Sequence, residues 1–351
     1  MIALNASGSI AKLTGTPNEH VRLAIKFIAL RQATLAARHS PSPDALDAIF
    51  ELNNVRDSKE EKEQDKSTAE KILAALPASH KDVLKQEKLA DLLGIIYTNG
   101  HHIHGHGIGL FPVASMIEHS CAPNSAYEVV NDKLTVTALL KIAKGEGISL
   151  CYIRPYQPRQ ERIAELKNRF HFDCTCVRCS VDMFNRDLCR AFRCKKCDDG
   201  IVTPLGFGND LSDWKCDKCD QTPAAEVFQE MIAEETTLKL LDTLDVPVDT
   251  LLESSTLHQS HYVLYRSLEH RVKVLARLRP NIGQTWLLIL LDSAKRVLPE
   301  YHPDKAVFYD MLGQVRKLLS DLKGAKEVPL LPPAVGKSSS VMIPFLSLGF
   351  Q

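Results

Sequence analysis

Ten cysteines in a chain of 351 residues carry the chemistry that can be read most directly. Cys174-Thr175-Cys176-Val177-Arg178-Cys179 is a C-x-C-x-x-C cluster, and Cys121 stands alone well upstream of it. Four thiolates make a closed tetrahedral zinc site. Three would come from one short segment and the fourth from Cys121, so the fold has to bring two distant stretches together. Cys194-x-x-Cys197 and Cys216-x-x-Cys219 form a second set with the spacing of a zinc ribbon, and Trp214, just before the second pair, fits a ribbon strand. Cys151 and Cys189 are left over. Cys151 sits in an apolar stretch, where a free thiol behaves as a small buried hydrophobe. Cysteines grouped in this way favour metal in a reducing compartment over disulfides, which sets the expected location as cytoplasmic and/or nuclear. Tyr152, on the strand between Cys121 and the cluster, would lie close to the crossing.

The remaining composition narrows the classes. Formal net charge is zero, so no global field draws the chain to nucleic acid or an anionic membrane. The apolar patch Trp286 to Leu291 is too short to span a bilayer, and Met1 to Asn5 does not open a signal peptide. Around the ribbon cysteines, Lys195, Lys196, Lys215 and Lys218 are offset by Asp198, Asp199, Asp210, Asp213 and Asp217. A structural staple is therefore expected there rather than direct contact with nucleic acid. His101, His102, His104 and His106 could ligate a transition metal, but beside Asn99-Gly100 in a Gly-rich stretch they read as a solvated loop.

The elements that must position these residues follow from periodicity. From Glu19 to about Ile96 the pattern is helical: Val21, Leu23, Ile25, Ile28 and Leu30 mark one helix, and Ala45, Ile49, Phe50 and Leu52 a second. Asp57 to Lys66 is charged and reads as a solvated loop or helix end. Thr68 to Glu70 and Leu84 to Ile96 add two more helices, the last closing at Asn99-Gly100. The period then changes. Ala126 to Val130 and Leu134 to Leu139 predict a hairpin turning at Asn131-Asp132, and Ile148 to Ile153 a third strand. Pro158 opens a helix with Ile163, Leu166 and Phe170 on one stripe. Phe228 to Leu244, His258 to Leu278, Ile282 to Leu298 and His302 to Leu322 are four amphipathic segments suited to stacked antiparallel hairpins of tetratricopeptide type. From Ala325 onward the composition reads as an unstructured tail.

Three motifs occur in a fixed order: Ile108-Gly109-Leu110-Phe111-Pro112 with Ser115 to Asn124, then Gly145 to Tyr152, then Arg159 to Cys179. They resemble the G-x-G-L-Y-P…S-L-x-N-H-S-C-x-P-N, G-E-E-[LI]-x-[IL]-x-Y and E-R-x-x-x-L…Y-x-F-x-C-x-C-x-x-C segments of the SET-and-MYND family of protein lysine methyltransferases. Glu19 to Leu23 is similar to the start of that family's helical insert. The resemblance covers about residues 18 to 180, with a looser helical match beyond. It implies an α+β fold: a helical insert region over 1–97, the C-terminal half of a SET core over 98–173, and a post-SET cysteine cluster with zinc ribbon over 174–222. A helical, tetratricopeptide-like domain over 223–324 and the tail 325–351 follow.

The same resemblance implies S-adenosylmethionine as methyl donor, two structural zinc ions and a protein lysine, on a histone or another protein, as acceptor. It places Asn99, Ile117, Glu118, His119, Tyr152 and Phe172 against the cofactor, Tyr152 at the methyl-transfer point and Phe170 in the lysine channel. Two positions depart from the family pattern: Glu118 stands where asparagine is usual, and Phe170 where a second channel tyrosine is usual. No first SET segment with its G-x-G loop and no MYND finger is read ahead of these motifs. The expected activity is therefore that of a truncated or weak methyltransferase that binds S-adenosylmethionine poorly. The alternative is a non-catalytic, zinc-stapled scaffold. A monomer is expected, with a peptide or chaperone-type partner on the helical C-terminal domain.

Overall fold

Apolar stripes build the first layer. A computed structural model of the chain describes residues 18–37, 46–103, 107–130, 133–180, 186–208, 210–242, 244–319 and 341–343. Helix α1 (Asn18–Ala37) buries Val21, Leu23, Ala24, Ile25, Phe27 and Ile28. It packs with α2 (Lys59–Ala75) and α4 (Gln86–Asn99) around one core, with the short α3 (Ala78–Lys81) between them. Of the two readings of the charged run from Asp57, loop or helix end, the structure shows the second: it starts α2. The Ser58 side chain accepts from Glu61 N–H at 3.1 Å and Glu61 Oε2 accepts from Ser58 N–H at 3.2 Å, closing a capping box. Its charges fall on solvated faces apart from Asp65, which is buried against the Arg56 guanidinium at 2.8 Å.

Of the second expected helix, the described residues show Leu46 and Asp47 in α-helical conformation running into a 3-10 turn, Ala48–Glu51; Ala45 lies outside them. The stretch ends for a local reason: Asn53 and Asn54 follow, and Asn54 Oδ1 accepts from Arg56 N–H at 3.1 Å, a turn that competes with helix. This turn lays residues 53–55 over α4, where a Cβ on Gly94 would sit 2.3 Å from the Asn54 amide. Only glycine permits that approach.

Strands β1 (Gly100–Ile103) and β2 (Gly107–Leu110) pair antiparallel directly after α4. The expected hairpin forms as β4 (Ser125–Val130) and β5 (Lys133–Ala138), with Tyr127 opposite Val136; its turn, Asn131-Asp132, lies outside the described residues. The third strand is shorter than expected. Only β6 (Ser149–Leu150) pairs, parallel to β3 (Glu118–His119), because the next amide, Tyr152 N–H, donates to the His119 ring instead of a ladder. Helix α5 (Arg159–Phe170) follows Pro158 and ends at His171, whose φ of 57° caps it in the left-handed region.

The ribbon strands β7 (Phe192–Arg193), β8 (Ile201–Pro204) and β9 (Trp214–Cys216) form one antiparallel sheet. Beyond it come α6 (Ala225–Lys239), α7 (Val248–Ser254), α8 (Tyr262–Leu275), α9 (Pro280–Val297) and α10 (Pro303–Leu318). Periodicity missed α7, whose buried Val248 and Leu251 span a single turn. The 222/223 boundary cuts through one continuous core that runs from Phe192, Val202 and Trp214 to Met231, Tyr265, Leu290 and Phe308. Ribbon and helical array are thus one packed unit. Within the 325–351 segment expected to be unstructured, β10 (Val341–Ile343) pairs antiparallel with β5; the rest of it lies outside the described residues.

Burial holds His20, His101, His258 and His302 at about 4, against 6.5 for the free side chain. Their neutral forms stabilise the fold fully above about pH 6.5, and this contribution is lost as pH falls towards 4. Each contributes at most about 1.4 kcal/mol per pH unit in that window. With zinc in excess, the urea midpoint is expected to drop between about pH 7.5 and pH 5; an unchanged midpoint contradicts the assignment.

Candidate active site and metal centres

The parallel pairing of β3 with β6 is the frame of the site. It sets His119 opposite Leu150, and Ser120 N–H extends it by donating to Leu150 O at 2.9 Å. Asn124 locks the same junction from the β4 side. Its Nδ2 donates to Gly147 O at 2.8 Å, and its Oδ1 accepts from Ser149 N–H at 2.9 Å. Its own N–H donates to Ser149 Oγ at 3.1 Å. The side chain is buried, so these bonds replace water contacts that it cannot make.

Cys121, directly after β3, meets Cys174, Cys176 and Cys179 with all four sulfurs within 4.8 Å of one another. Cys121 Sγ and Cys179 Sγ are 3.5 Å apart. Zinc–sulfur bonds of about 2.3 Å in a tetrahedron put ligand sulfurs about 3.8 Å apart, so this set fits the ion. Within the cluster, hydrogen bonds from its three neighbours lower the Cys176 thiol, while the same sharing raises those of Cys121 and Cys174. Arg178 ties the segment down by donating to Cys121 O at 2.7 Å and Pro155 O at 3.1 Å.

The ribbon cysteines make an equally close set, with Cys194–Cys219 at 3.9 Å and Cys197–Cys216 at 3.6 Å between sulfurs. Lys196 and Lys218 amides donate to Cys194 Sγ and Cys216 Sγ at 3.3 and 3.4 Å, and such donors stabilise thiolate charge. A Cβ on Gly200 would stand 2.3 Å from Cys216 Sγ, so the chain can pass the cluster only as glycine. Both clusters could bind zinc. Cys151 and Cys189 join neither, and burial pushes their thiols up to about 11 and about 12.

His119 connects the first cluster to Tyr152. Burial lowers its ring to about 4, so it is neutral near pH 7. Its Nδ1 accepts from Tyr152 N–H at 3.1 Å, which leaves the proton on Nε2, 3.2 Å from Cys121 Sγ. The Tyr152 hydroxyl donates to Ile117 O. Its phenol is raised first by burial and then by the charge of Glu118, so it stays protonated. That effect of Glu118 on Tyr152 is invisible in a one-dimensional motif.

Aromatic rings enclose the hydroxyl. Tyr152 lies 5.2 Å from Phe170 and 5.1 Å from His119, and Phe172 lies 5.8 Å from His119 between ring centroids. The left-handed turn at His171 lets both phenylalanines face the same centre. Tyr152, Phe170, Phe172 and Asn99 line a cleft of about 470 Å³. Asn99 uses its amide donors on Asn53 O at 2.7 Å and Ile95 O at 3.0 Å, so its oxygen is the group left for a ligand. Ile117, Glu118 and His119 are not among the lining residues; Ile117 meets the cleft through Tyr152, and His119 through Tyr152 and Phe172.

Motif reading missed part of the wall: His20, Tyr97, Ser115, Tyr127 and Arg169. His20 stacks on Tyr97 at 4.1 Å, and Arg56 covers the ring at 4.4 Å. Its place beside Glu19-Val21-Arg22-Leu23 in the insert-like segment was the one available signal. Of the histidine cluster, His101 sits edge-on to Phe111 at 5.6 Å and Tyr127 at 5.3 Å, with Nδ1 bonded to Asn99 O. It is a cleft wall residue in β1 and not part of a solvated loop. His104 and His106 lie outside the described residues.

The SET-domain family model matches residues 37–153, a span that holds β3, β6 and Tyr152. This chain carries a SET domain of the SMYD-like kind. It is 34% identical over 130 residues to the mouse protein-lysine N-methyltransferase SMYD4, covering 35% of this chain and 15% of that protein. It is 27% identical over 198 residues to the human histone-lysine N-methyltransferase SMYD1, covering 50% and 39%. With the Arabidopsis thaliana histone-lysine N-methyltransferase ASHR1 it shares 24% over 240 residues, covering 62% and 49%. The matched stretches thus span less than half the length of each of these relatives. No helix among the described residues is long and apolar enough to cross a membrane.

Metal analysis of the SMYD-like chain is expected to return two zinc ions, and one in Cys121→Ser, whose lost ligand opens the first cluster. Two ions in that variant would remove Cys121 from the set. Asn124→Ala, which strands Ser149 N–H and Gly147 O, is expected to cost about 2–4 kcal/mol in urea unfolding.

Proposed function

We propose that this SET-domain chain is a protein-lysine N-methyltransferase that uses S-adenosylmethionine. The observation that carries the reading is the Tyr152 hydroxyl, held in an aromatic enclosure by Ile117 O and by the His119–Cys121 connection. The relatives it resembles are protein-lysine methyltransferases by name, which supports the same class.

The cleft suits a ligand of that kind. Its volume lies in the range of small-molecule sites. His20 Nδ1, in its wall, is a buried nitrogen without a hydrogen-bond partner. Asn99 Oδ1, His20 and the faces of Tyr152 and Phe172 would hold the cofactor, which when bound supplies an electrophilic methyl on a sulfonium. The chain's own residues do the rest. Phe170 and Phe172 exclude water and disfavour the charged form of a lysine brought between them, so the amine is delivered neutral. The Tyr152 hydroxyl remains a fixed dipole near the transfer point, protonated because burial and Glu118 oppose its ionisation. Phe170 offers no hydroxyl to hydrogen-bond the amine, which leaves the nitrogen freer to turn. The zinc cluster keeps the segment bearing Phe172 in place. The substrate class is a protein lysine, on a histone or another protein.

Incubation with labelled S-adenosylmethionine and a lysine-containing protein panel tests this. Tyr152→Phe is expected to lower kcat about 100-fold while leaving the melting temperature nearly unchanged. Equal turnover in the variant removes Tyr152 from the role, and absence of S-adenosylmethionine binding by calorimetry overturns the enzyme reading.

A further inference from the structure

A second cleft, of about 410 Å³, opens where α5, the cysteine segment, the ribbon and α9 meet. Arg159, Arg162, Arg178, Arg186 and Arg296 line it, against one lining carboxylate among the described residues, Asp187. Such a density of guanidinium groups is not what a cavity requires for packing, since each costs desolvation unless it is paired.

The pairing is of an unusual kind. Arg162 donates to Gln157 O and to Arg178 O at 3.2 Å. Arg178 donates to Cys121 O and Pro155 O, and Arg186 to Lys215 O at 2.8 Å. These acceptors are neutral carbonyls, and none of the three arginines forms an ion pair with a carboxylate among the described residues. Asp187 spends its oxygens on the backbone N–H groups of Arg159 at 2.6 Å and Cys189 at 3.3 Å. Arg296 is matched by Asp292 at 2.9 Å. Arg162 is only 2% exposed, and its Nε has no hydrogen-bond partner. Zinc-bound thiolates beside Arg162, whose Nη2 is 3.9 Å from Cys179 Sγ, offset some of this charge. With two zinc charges against four thiolates, that centre contributes a net charge of about −2. Among the described residues, Asp187, Asp292 and this centre are the counter-charges set against the five guanidinium groups.

We propose that this cleft binds a small tetrahedral oxyanion: inorganic phosphate or the terminal group of a phosphate monoester. Planar guanidinium groups match the oxygens of such an anion, and five of them lining one cleft would favour it over chloride. The anion would join three parts of the chain. Arg178 already holds the Cys121 loop, Arg186 the ribbon strand β9, and Arg296 belongs to α9.

Zinc-loaded full chain, titrated calorimetrically at fixed ionic strength with inorganic phosphate and separately with phenyl phosphate, tests the site. Phosphate is expected to bind at about 1 mM or tighter. Arg186→Gln is expected to weaken binding about tenfold. Arg296→Gln, at an exposed position, gives the same direction of change without disturbing the ribbon. Arg22→Gln, on an exposed face of α1, is expected to have no effect. Zinc content must remain at two ions in every variant. Competition by phenyl phosphate identifies a monoester as the occupant, whereas phosphate alone identifies the free ion; either supports the site. No heat from either ligand at about 10 mM, or unchanged affinity in both Arg186→Gln and Arg296→Gln, overturns it.

Discussion

The meeting of Cys121 with Cys174, Cys176 and Cys179 is the constraint on which the active-site half of the molecule depends. Two segments far apart in the chain end on one tetrahedral point. Everything between them must return to that point, including β4, β5, β6 and α5. Coordination geometry is unforgiving: a shift of an ångström breaks a zinc–sulfur bond, while a packed core tolerates it. The position of Tyr152, on the return path, inherits that precision.

The inheritance is carried by His119. Because its ring is neutral and one nitrogen must accept from Tyr152 N–H, the other carries the proton toward the cluster. One imidazole therefore links a cysteine cluster that could hold zinc to the backbone of the candidate catalytic residue. Asn124 supplies a second, metal-independent lock on the same strands. The two differ in kind. The first depends on thiolate charge and thus on zinc, and the second on neutral hydrogen bonds that persist without it.

The other half of the molecule is organised around apolar burial. Trp214 and Phe192 of the ribbon sit in the same core as the helices that follow. Beside the ribbon, a bidentate Arg190–Glu235 pair is largely enclosed, with the buried His261 nearby. Breaking such a buried pair from one side is costly. The junction between the halves is different again, being rich in arginines that bond to carbonyls. Three modes of cohesion thus meet along one chain: coordination, apolar packing and charge.

Features set by residue type and short spacing could be read from the chain alone. C-x-C-x-x-C and paired C-x-x-C units, the capped and periodic helices, and the hairpin at 125–138 were all legible there. Those signals come from local valence, local dihedral preference and alternation. What only the tertiary structure decided depends on long-range approach. It shortened the strand at Cys151 because a histidine from another strand took the Tyr152 amide. It placed His20, Tyr97 and His101 in the cleft wall while leaving Ile117, Glu118 and His119 out of it. It also gathered five arginines from four parts of the chain into one cleft. No local pattern encodes these, since each is set by which distant surface arrives, and that is fixed by the closing of the thiolate cluster and the packing of the cores.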